Sequence, residues 1–525
     1  MTIDTDEPRL LARSERHAAG NTLLGNPVIL LAGTLRGGIA KIISQFVNLA
    51  TRIAFIAVLS RFIGPEEFGL FTMAMVFLGV FQIIATGGFA QAAIQHADPS
   101  EDQLSFLFIF GLVVAFAIAA LICAGAPFVA RFYDEPRIVA ITVALTPSFI
   151  LTAAGSIPTA LLQRQMRFVE IAWIEALSGL IGTVLGIVLA LLGYSYWSLV
   201  AAAVAWPATA TLGAWVLSGW RPRWPTVTRD VVPMLKYGTT LMVNGLVVFA
   251  SYNSEKFLLG RVWGASILGI YSRASQISAM PTALIGQATI SIAFSALSRL
   301  QDNPEHQRRY FSSFYLLVNA ITVPISIFCF AFAPSVIDTL LGRGWEEAHS
   351  VLRMLAPSIL VLGMINPPGA LLMATGRQNR SLAIGIALVP VCLGTYIAGL
   401  PYGPNGVAFA YSLAMMLWLL PHLFWAFHGT AVTVMDSLRS VAPSLLAGLA
   451  GATVAVVATR LAIHPQVPIL RLLVEGSIMG SVYLVTLFLI LKQNGRLEQL
   501  REIVAVKTTA NRCEATDAGV PQVTM

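Results

Sequence analysis

Apolar runs of about 20 residues recur from near residue 42 to near residue 491, and each is long enough to cross a bilayer as a helix. No other feature narrows the possible folds as much. In lipid every backbone N–H and C=O must be satisfied within the structure, which selects helices over open sheets. Only 11% of the 525 residues are charged and 56% are hydrophobic, against about 25% charged in a soluble globular chain. The chain reads as an all-α integral membrane protein. Although the net charge is +7, no segment is long and polar enough to form a basic aqueous domain, which argues against a nucleic-acid partner.

About fourteen spans follow. Six lie at about 40–62, 68–94, 104–128, 138–162, 169–192 and 196–219, and six more at about 236–260, 265–298, 309–335, 350–375, 380–400 and 405–427. Two further spans, at about 440–462 and 468–491, complete the set. The eighth is too long for one perpendicular crossing, so it should tilt, bend at Pro281 or protrude from the membrane. The apolar patch Pro27–Gly33 is too brief for a span and lacks a cleavage pattern, so the first membrane helix is expected to do the targeting.

Lysine and arginine in the connections set the orientation. With both termini in the cytoplasm, the inner side receives roughly 22 of them and the outer side roughly 8. The expected organisation is a cytoplasmic N-terminal tail (1–35), a six-helix N-lobe (36–220) and a six-helix C-lobe (221–430). Two additional helices (431–491) and a cytoplasmic C-terminal tail (492–525), expected to be disordered, follow.

The two lobes are copies. Arg61-Phe-Ile-Gly-Pro-Glu-Glu-Phe-Gly-Leu-Phe71 aligns with Arg261-Val-Trp-Gly-Ala-Ser-Ile-Leu-Gly-Ile-Tyr271, matching Gly64 to Gly264 and Gly69 to Gly269. Further on, Pro147, Ser148, Pro158 and Arg167 match Pro357, Ser358, Pro368 and Arg377, and Ala126-Pro-Phe-Val matches Ala333-Pro-Ser-Val. Six spans per unit is an even number, so both copies share one orientation: a parallel repeat with a cavity expected between the lobes. The shared Arg61 and Arg261 segments read as the outer turn of a helical hairpin.

Transport needs polar groups at membrane depth, where an arginine costs roughly 2.5–3.5 kcal/mol and so faces water or a partner. At about 100° per residue, Lys41, Gln45, Asn48 and Arg52 share one face of the first span. Arg273, Gln276, Met280, Gln287 and Ser291 share one in the eighth. Arg273 replaces Met73 of the first copy, so it breaks the symmetry of the repeat. Gln45, Asn48, Arg52, Lys256, Arg273 and Gln276 are therefore the expected cavity lining. Arginines pair bidentately with phosphate while amides suit sugar hydroxyls, which points to an anionic, sugar-bearing substrate. Glu255 and Glu175 are the candidates for ion coupling; a snorkelling pair at the interface is the bland reading of Glu255–Lys256.

Signs of catalysis are few. The chain has no phosphate loop, nucleophile elbow or H-E-x-x-H, and no extramembrane segment large enough for an active site. The longest outer connection, about Pro334–Ser350, carries only Asp338, Glu346 and Glu347 as acids, and Gly342-Arg-Gly-Trp345 reads as a shaped wall. Cys123, Cys329, Cys392 and Cys513 show no disulfide or metal spacing. No metal or cofactor is expected.

Leu59-Ser-Arg-Phe-Ile-Gly-Pro-Glu-Glu-Phe-Gly-Leu-Phe71, Ala160-Leu-Leu-Gln-Arg-Gln-Met-Arg-Phe168 and Trp220-Arg-Pro222 occur in this order along the chain. Leu258-Leu-Gly-Arg261, Leu268-Gly-Ile-Tyr-Ser-Arg273, Ala296-Leu-Ser-Arg-Leu300 and Gly344-Trp345 follow them. Together these segments resemble the polysaccharide transporter branch of the multidrug/oligosaccharidyl-lipid/polysaccharide exporter superfamily, over about residues 35–490. The resemblance implies a flippase of the bacterial inner membrane that moves polyprenyl-diphosphate-linked oligosaccharide outward by alternating access. The product would serve exopolysaccharide or lipopolysaccharide synthesis, with polysaccharide polymerase or export proteins as further partners. The cationic cavity of that family carries over to Arg52, Lys256 and Arg273. A multidrug antiporter of the same fold and, from another class, a membrane polysaccharide polymerase or ligase are the alternatives. The interior bias toward arginine argues against the first, and the lack of a large outer domain against the second.

Overall fold

The computed structural model describes residues 47, 49–86, 93, 99–224, 232–461 and 467–495. Among them every expected span has helix at its position, and no strand occurs. Residues 49–62 form α1, followed by α2 (Pro65–Thr86), α3 (Glu101–Tyr133), α4 (Arg137–Leu145), α5 (Pro147–Arg164), α6 (Phe168–Leu191) and α7 (Tyr196–Ser218). The 68-residue α8 (Val232–Arg299) carries the seventh and eighth spans. The chain continues through α9 (Pro304–Ala331), α10 (Ala333–Leu340), α11 (Ala348–Ile365), α12 (Pro367–Ala374), α13 (Gln378–Gly399) and α14 (Gly403–Phe427). Helices α15 (Val434–Leu461) and α16 (Pro468–Gln493) complete it. Ten described stretches are long and apolar enough to cross a membrane, and three of them, Arg137–Arg164, Ala348–Ala374 and Gln378–Phe427, each hold two of these helices.

Local chemistry sets several boundaries. Ser100 caps α3 by accepting from the Gln103 N–H while the Gln103 side chain accepts from the Ser100 N–H, a reciprocal box that satisfies two free donors. Asn303 does the same for α9 from one side, with Pro304 at the first helical position. Within α8 the helical dihedrals fail only at Gly264 (φ 80°, ψ −177°), a conformation closed to residues with a Cβ, and this single residue separates the two spans. The dihedrals stay helical through Pro281, where a bend was one of the three expectations. The outer connection expected at Pro334–Ser350 is largely helical, because α10 fills its first part.

The chain divides into two compact units: Met1–Phe62 with Phe77–Leu246, and Ile63–Val76 with Val247–Met525. The first turns of α2 thus belong to the second unit. In the first, Leu104, Leu107, Phe108, Ile157, Ala160 and Trp220 form a buried cluster, with Phe108 edge-on to both Trp215 and Trp220 at 5.6 and 5.5 Å. In the second, Phe311, Phe314, Tyr315, Leu371, Leu423 and Phe427 belong to a buried cluster of α9, α12 and α14.

The repeat shows in how each copy handles proline and helix ends. A proline lacks an N–H and so removes the usual donor to the carbonyl four residues back. Pro158 does this to Ala154, and the indole N–H of Trp215 from α7 donates to that carbonyl at 2.9 Å. Pro368, its repeat counterpart, does it to Met364, and the Tyr315 hydroxyl from α9 donates there at 2.9 Å. Pro324 leaves Ala320 in the same position, and Tyr483 of α16 supplies the bond at 2.7 Å. Arg167 meanwhile donates to the Leu217 carbonyl at the end of α7 (2.8 Å), and Arg377 to the His428 carbonyl at the end of α14 (2.9 Å). Cations at helix C-termini offset the free carbonyls there. Arg380 also donates to the His428 carbonyl.

Candidate functional site

In the first unit, Arg52 is exposed, its guanidinium carbon 5.6 Å from the centre of the Trp206 ring of α7. Cation–π contact of this kind holds an arginine without neutralising it. Glu175 on α6 is half-buried. Gln45 and Asn48, expected beside Arg52, lie outside the described residues.

The second unit contains the denser arrangement. Here the beginnings of the two repeated segments touch each other. A Cβ added at Gly69 would fall inside the Ala265 carbonyl, and one added at Gly269 inside the Pro65 carbonyl. Two helices approach this closely only where both carry glycine. Three residues on, Thr72 donates to Ser272 at 3.2 Å, again between equivalent positions of the repeat. Phe68 is fully buried, edge-on to Trp345 with ring centres 5.5 Å apart. Trp345 is itself buried at the end of the turn Gly342-Arg-Gly-Trp345, in which Gly342 and Gly344 adopt positive φ (86° and 89°). That turn is pinned by the Gly344 N–H, which donates to Glu346 and holds its carboxyl below the usual range.

Arg273 also meets Phe68, its guanidinium carbon 4.3 Å from the ring centre. It is only 8% exposed. One terminal nitrogen donates to the Gln276 amide oxygen at 2.6 Å, and Nε is buried without a hydrogen-bond partner. Arg273 and Gln276 are thus brought together. The equivalent residue of the first copy, Met73, is buried and apolar.

One helical segment earlier, Glu255 is 4% exposed, which the snorkelling reading did not anticipate. Lys256 Nζ lies 3.7 Å from its Oε1 and donates to Asn253 at 2.9 Å. The carboxylate is within electrostatic reach of Tyr271, Tyr396, Tyr411 and Cys392, contributed by α8, α13 and α14. Tyr396 stacks on Tyr411 at 5.7 Å and donates to the Ser251 carbonyl at 3.4 Å. Glu255 Oε2 has no hydrogen-bond partner. A buried carboxylate with one oxygen unpartnered is incompletely compensated. Among the described residues no cluster of three His, Cys, Asp or Glu could hold a metal.

Sequence reasoning missed Phe68, Trp206 and the three tyrosines, and read Trp345 only as part of the Gly342-Arg-Gly-Trp345 wall. Their roles come from partners far along the chain. The available hint was the repeat itself: Phe68 faces Leu268 in the alignment and Met73 faces Arg273, so both halves of the cation–ring pair sit where the copies differ. A second omission is Glu475 on α16, 1% exposed and paired with Arg471 at 3.0 Å.

A family model described as "Polysaccharide biosynthesis protein" matches residues 58–350. Among curated proteins, the lipopolysaccharide biosynthesis protein WzxC of Escherichia coli is 23% identical, over 73% of this chain and 79% of its own. The succinoglycan biosynthesis transport protein ExoT of Rhizobium meliloti is 22% identical, over 62% of this chain and 66% of its own. The teichuronic acid biosynthesis protein TuaB of Bacillus subtilis is 25% identical, over 57% and 62%. Among solved structures, the lipid II flippase MurJ in an inward closed conformation superposes with a TM-score of 0.70 at 14% identity, over 87% of this chain and 99% of its own. An inward-facing multidrug resistance transporter of the MATE family, in the MOP superfamily, gives 0.54 at 16% identity, over 76% and 95%.

Proposed function

Because the chain belongs to the polysaccharide biosynthesis protein family, we propose that it carries a polyprenyl-diphosphate-linked oligosaccharide across the bacterial inner membrane by alternating access. The cargo serves assembly of an exopolysaccharide or lipopolysaccharide. Both termini are cytoplasmic, as the lysine and arginine bias of the connections requires, and transport runs outward. The protein acts as a transporter, not as an enzyme, and polymerase or export proteins receive its product.

The observation that carries this reading is Arg273. A buried guanidinium with an amide, an aromatic ring and an orphaned Nε around it is incompletely compensated, and such a charge at membrane depth marks a ligand path. A diphosphate supplies the missing negative charge and matches the geometry of the guanidinium edge. In the second unit Lys256 and Gln276 join Arg273 as substrate contacts, and in the first unit Arg52, Asn48 and Gln45 offer contacts of their own, the amides serving the sugar. Glu255 is the coupling group, binding and releasing the proton or cation that drives the cycle, and Glu175 is the second candidate. The likeness to the multidrug transporter is one of fold, and the unneutralised cation separates the two activities.

The test is to delete the gene in a strain with no redundant transporter and follow lipid-linked oligosaccharide across the membrane. Accumulation on the cytoplasmic leaflet is expected, and undiminished delivery to the outer leaflet refutes the proposal. Arg52→Ala and Arg273→Ala should each lose transport at unchanged expression. If both variants transport normally, the site assignment is wrong even where the function stands.

A further inference from the structure

Arg273 cannot meet a diphosphate in the arrangement described here. The Phe68 ring covers one face of its guanidinium, and the rest of the side chain is enclosed to 8% exposure. The cover belongs to α2, whereas Arg273 belongs to α8 and the backing Trp345 to the turn after α10. Phe68 is held in place by the short segment that the Gly69–Gly269 approach and the Thr72–Ser272 bond fasten down. Uncovering the arginine therefore requires this end of α2 to withdraw.

We propose that Phe68 and the anionic group of the cargo compete for Arg273, so that closing this end of the molecule ejects the anion. The proposal rests on the diphosphate reading of Arg273 given above. Charge-assisted hydrogen bonds to a phosphate are stronger than contact with an arene ring, so a diphosphate in reach keeps Phe68 away. Once the anion has left, the ring and Trp345 exclude water from the cation, and the paired glycines let the helices close. Closure is then conditional on release. A loaded carrier stays open at this end, and an emptied one resets. The first copy supplies the ring and the second the cation, each at a position where its counterpart (Leu268, Met73) lacks that chemistry, so the device exists once and acts in one direction.

Disulfide formation between Thr72→Cys and Ser272→Cys reports closure, since the native hydroxyl oxygens are 3.2 Å apart. The pair is placed in full-length protein with Cys123, Cys329, Cys392 and Cys513 changed to serine, reconstituted in liposomes and oxidised with copper phenanthroline. Farnesyl diphosphate is the probe, and its binding is measured separately by equilibrium dialysis. We expect the probe to slow crosslinking at least threefold in the otherwise native background and to leave the rate unchanged in Arg273→Gln. Phe68→Leu, the residue of the second copy, should slow crosslinking without any probe. If the probe binds through Arg273 yet crosslinking proceeds at the same rate, the competition is refuted while the substrate reading stands. If slowing persists in Arg273→Gln, the competition is refuted as well. If the probe does not bind, the diphosphate reading of Arg273 falls and this proposal with it.

Discussion

Tyr315→Phe removes one oxygen atom and leaves the Met364 carbonyl without its donor. The hydroxyl is fully buried and bonds that carbonyl at 2.9 Å. Pro368 supplies no N–H, so α11 cannot reclaim the acceptor for itself. Leaving a buried carbonyl unpaired costs about 1–3 kcal/mol. Hydrogen bonds between membrane helices usually measure less, about 0.6 kcal/mol on average and about 1.7 at most, because the groups find other partners when helices separate. Here the proline denies one such partner, which puts the expected loss at about 1–2 kcal/mol, a factor of roughly 5–30 in the folded to unfolded ratio. Pro368→Ala restores an N–H on the same carbonyl. On that background Tyr315→Phe should cost less than about 0.5 kcal/mol. Unfolding in a mixed-micelle SDS titration of the two single variants and the double variant gives the coupling directly. Additive losses, within about 0.5 kcal/mol, would falsify the claim that the hydroxyl stands in for the missing backbone donor.

Two further outcomes follow from the same geometry. Gly69→Ala and Gly269→Ala each push a methyl group into a facing carbonyl, and overpacking of this kind costs about 1–3 kcal/mol. Transport should fall sharply and crosslinking of the Thr72→Cys, Ser272→Cys pair should slow, whereas normal rates of both would show that the approach is looser than described. Arg167→Ala and Arg377→Ala should each lower stability by about 1 kcal/mol through loss of a donor to a helix end, measured by the same titration. Arg309→Ala is the control, since its pairing with Glu305 is solvent-exposed on both sides and such pairs contribute little; equal losses at all three arginines would remove the capping role.

The spans and the parallel repeat were legible because both rest on local signals: run length for the first, ordered Gly, Pro and Arg matches for the second. The sequence also marks Pro158, Pro324 and Pro368 as points where a carbonyl needs a new donor. It does not say that Trp215, Tyr483 and Tyr315 provide them, since those residues lie 61, 163 and 49 positions away and read as ordinary members of apolar faces. Arg167 and Arg377 were visible as positive charge on one side of the membrane, and their carbonyl partners were not. For the site, an intramembrane arginine is conspicuous in any sequence, so Arg52 and Arg273 stood out. The phenylalanine covering one of them did not, because nothing in the spacing separates Phe68 from any other apolar residue of its run. The burial of Glu255 was equally hidden, because only the folded chain brings Tyr396 of α13, stacked on Tyr411 of α14, against the Ser251 carbonyl one turn before it.

The bond from Tyr483 to the Ala320 carbonyl has a consequence in time. The two residues are 163 positions apart, and ribosomes add about 5–20 residues per second. The Ala320 carbonyl, deprived of its helical donor by Pro324, therefore waits roughly 8–30 s after synthesis for the hydroxyl that satisfies it. During that interval α9 is in the membrane without its seat against α16. A chain released before α16 never acquires that seat, and a quality-control protease that recognises unpaired polar backbone inside the bilayer would distinguish it from the finished protein.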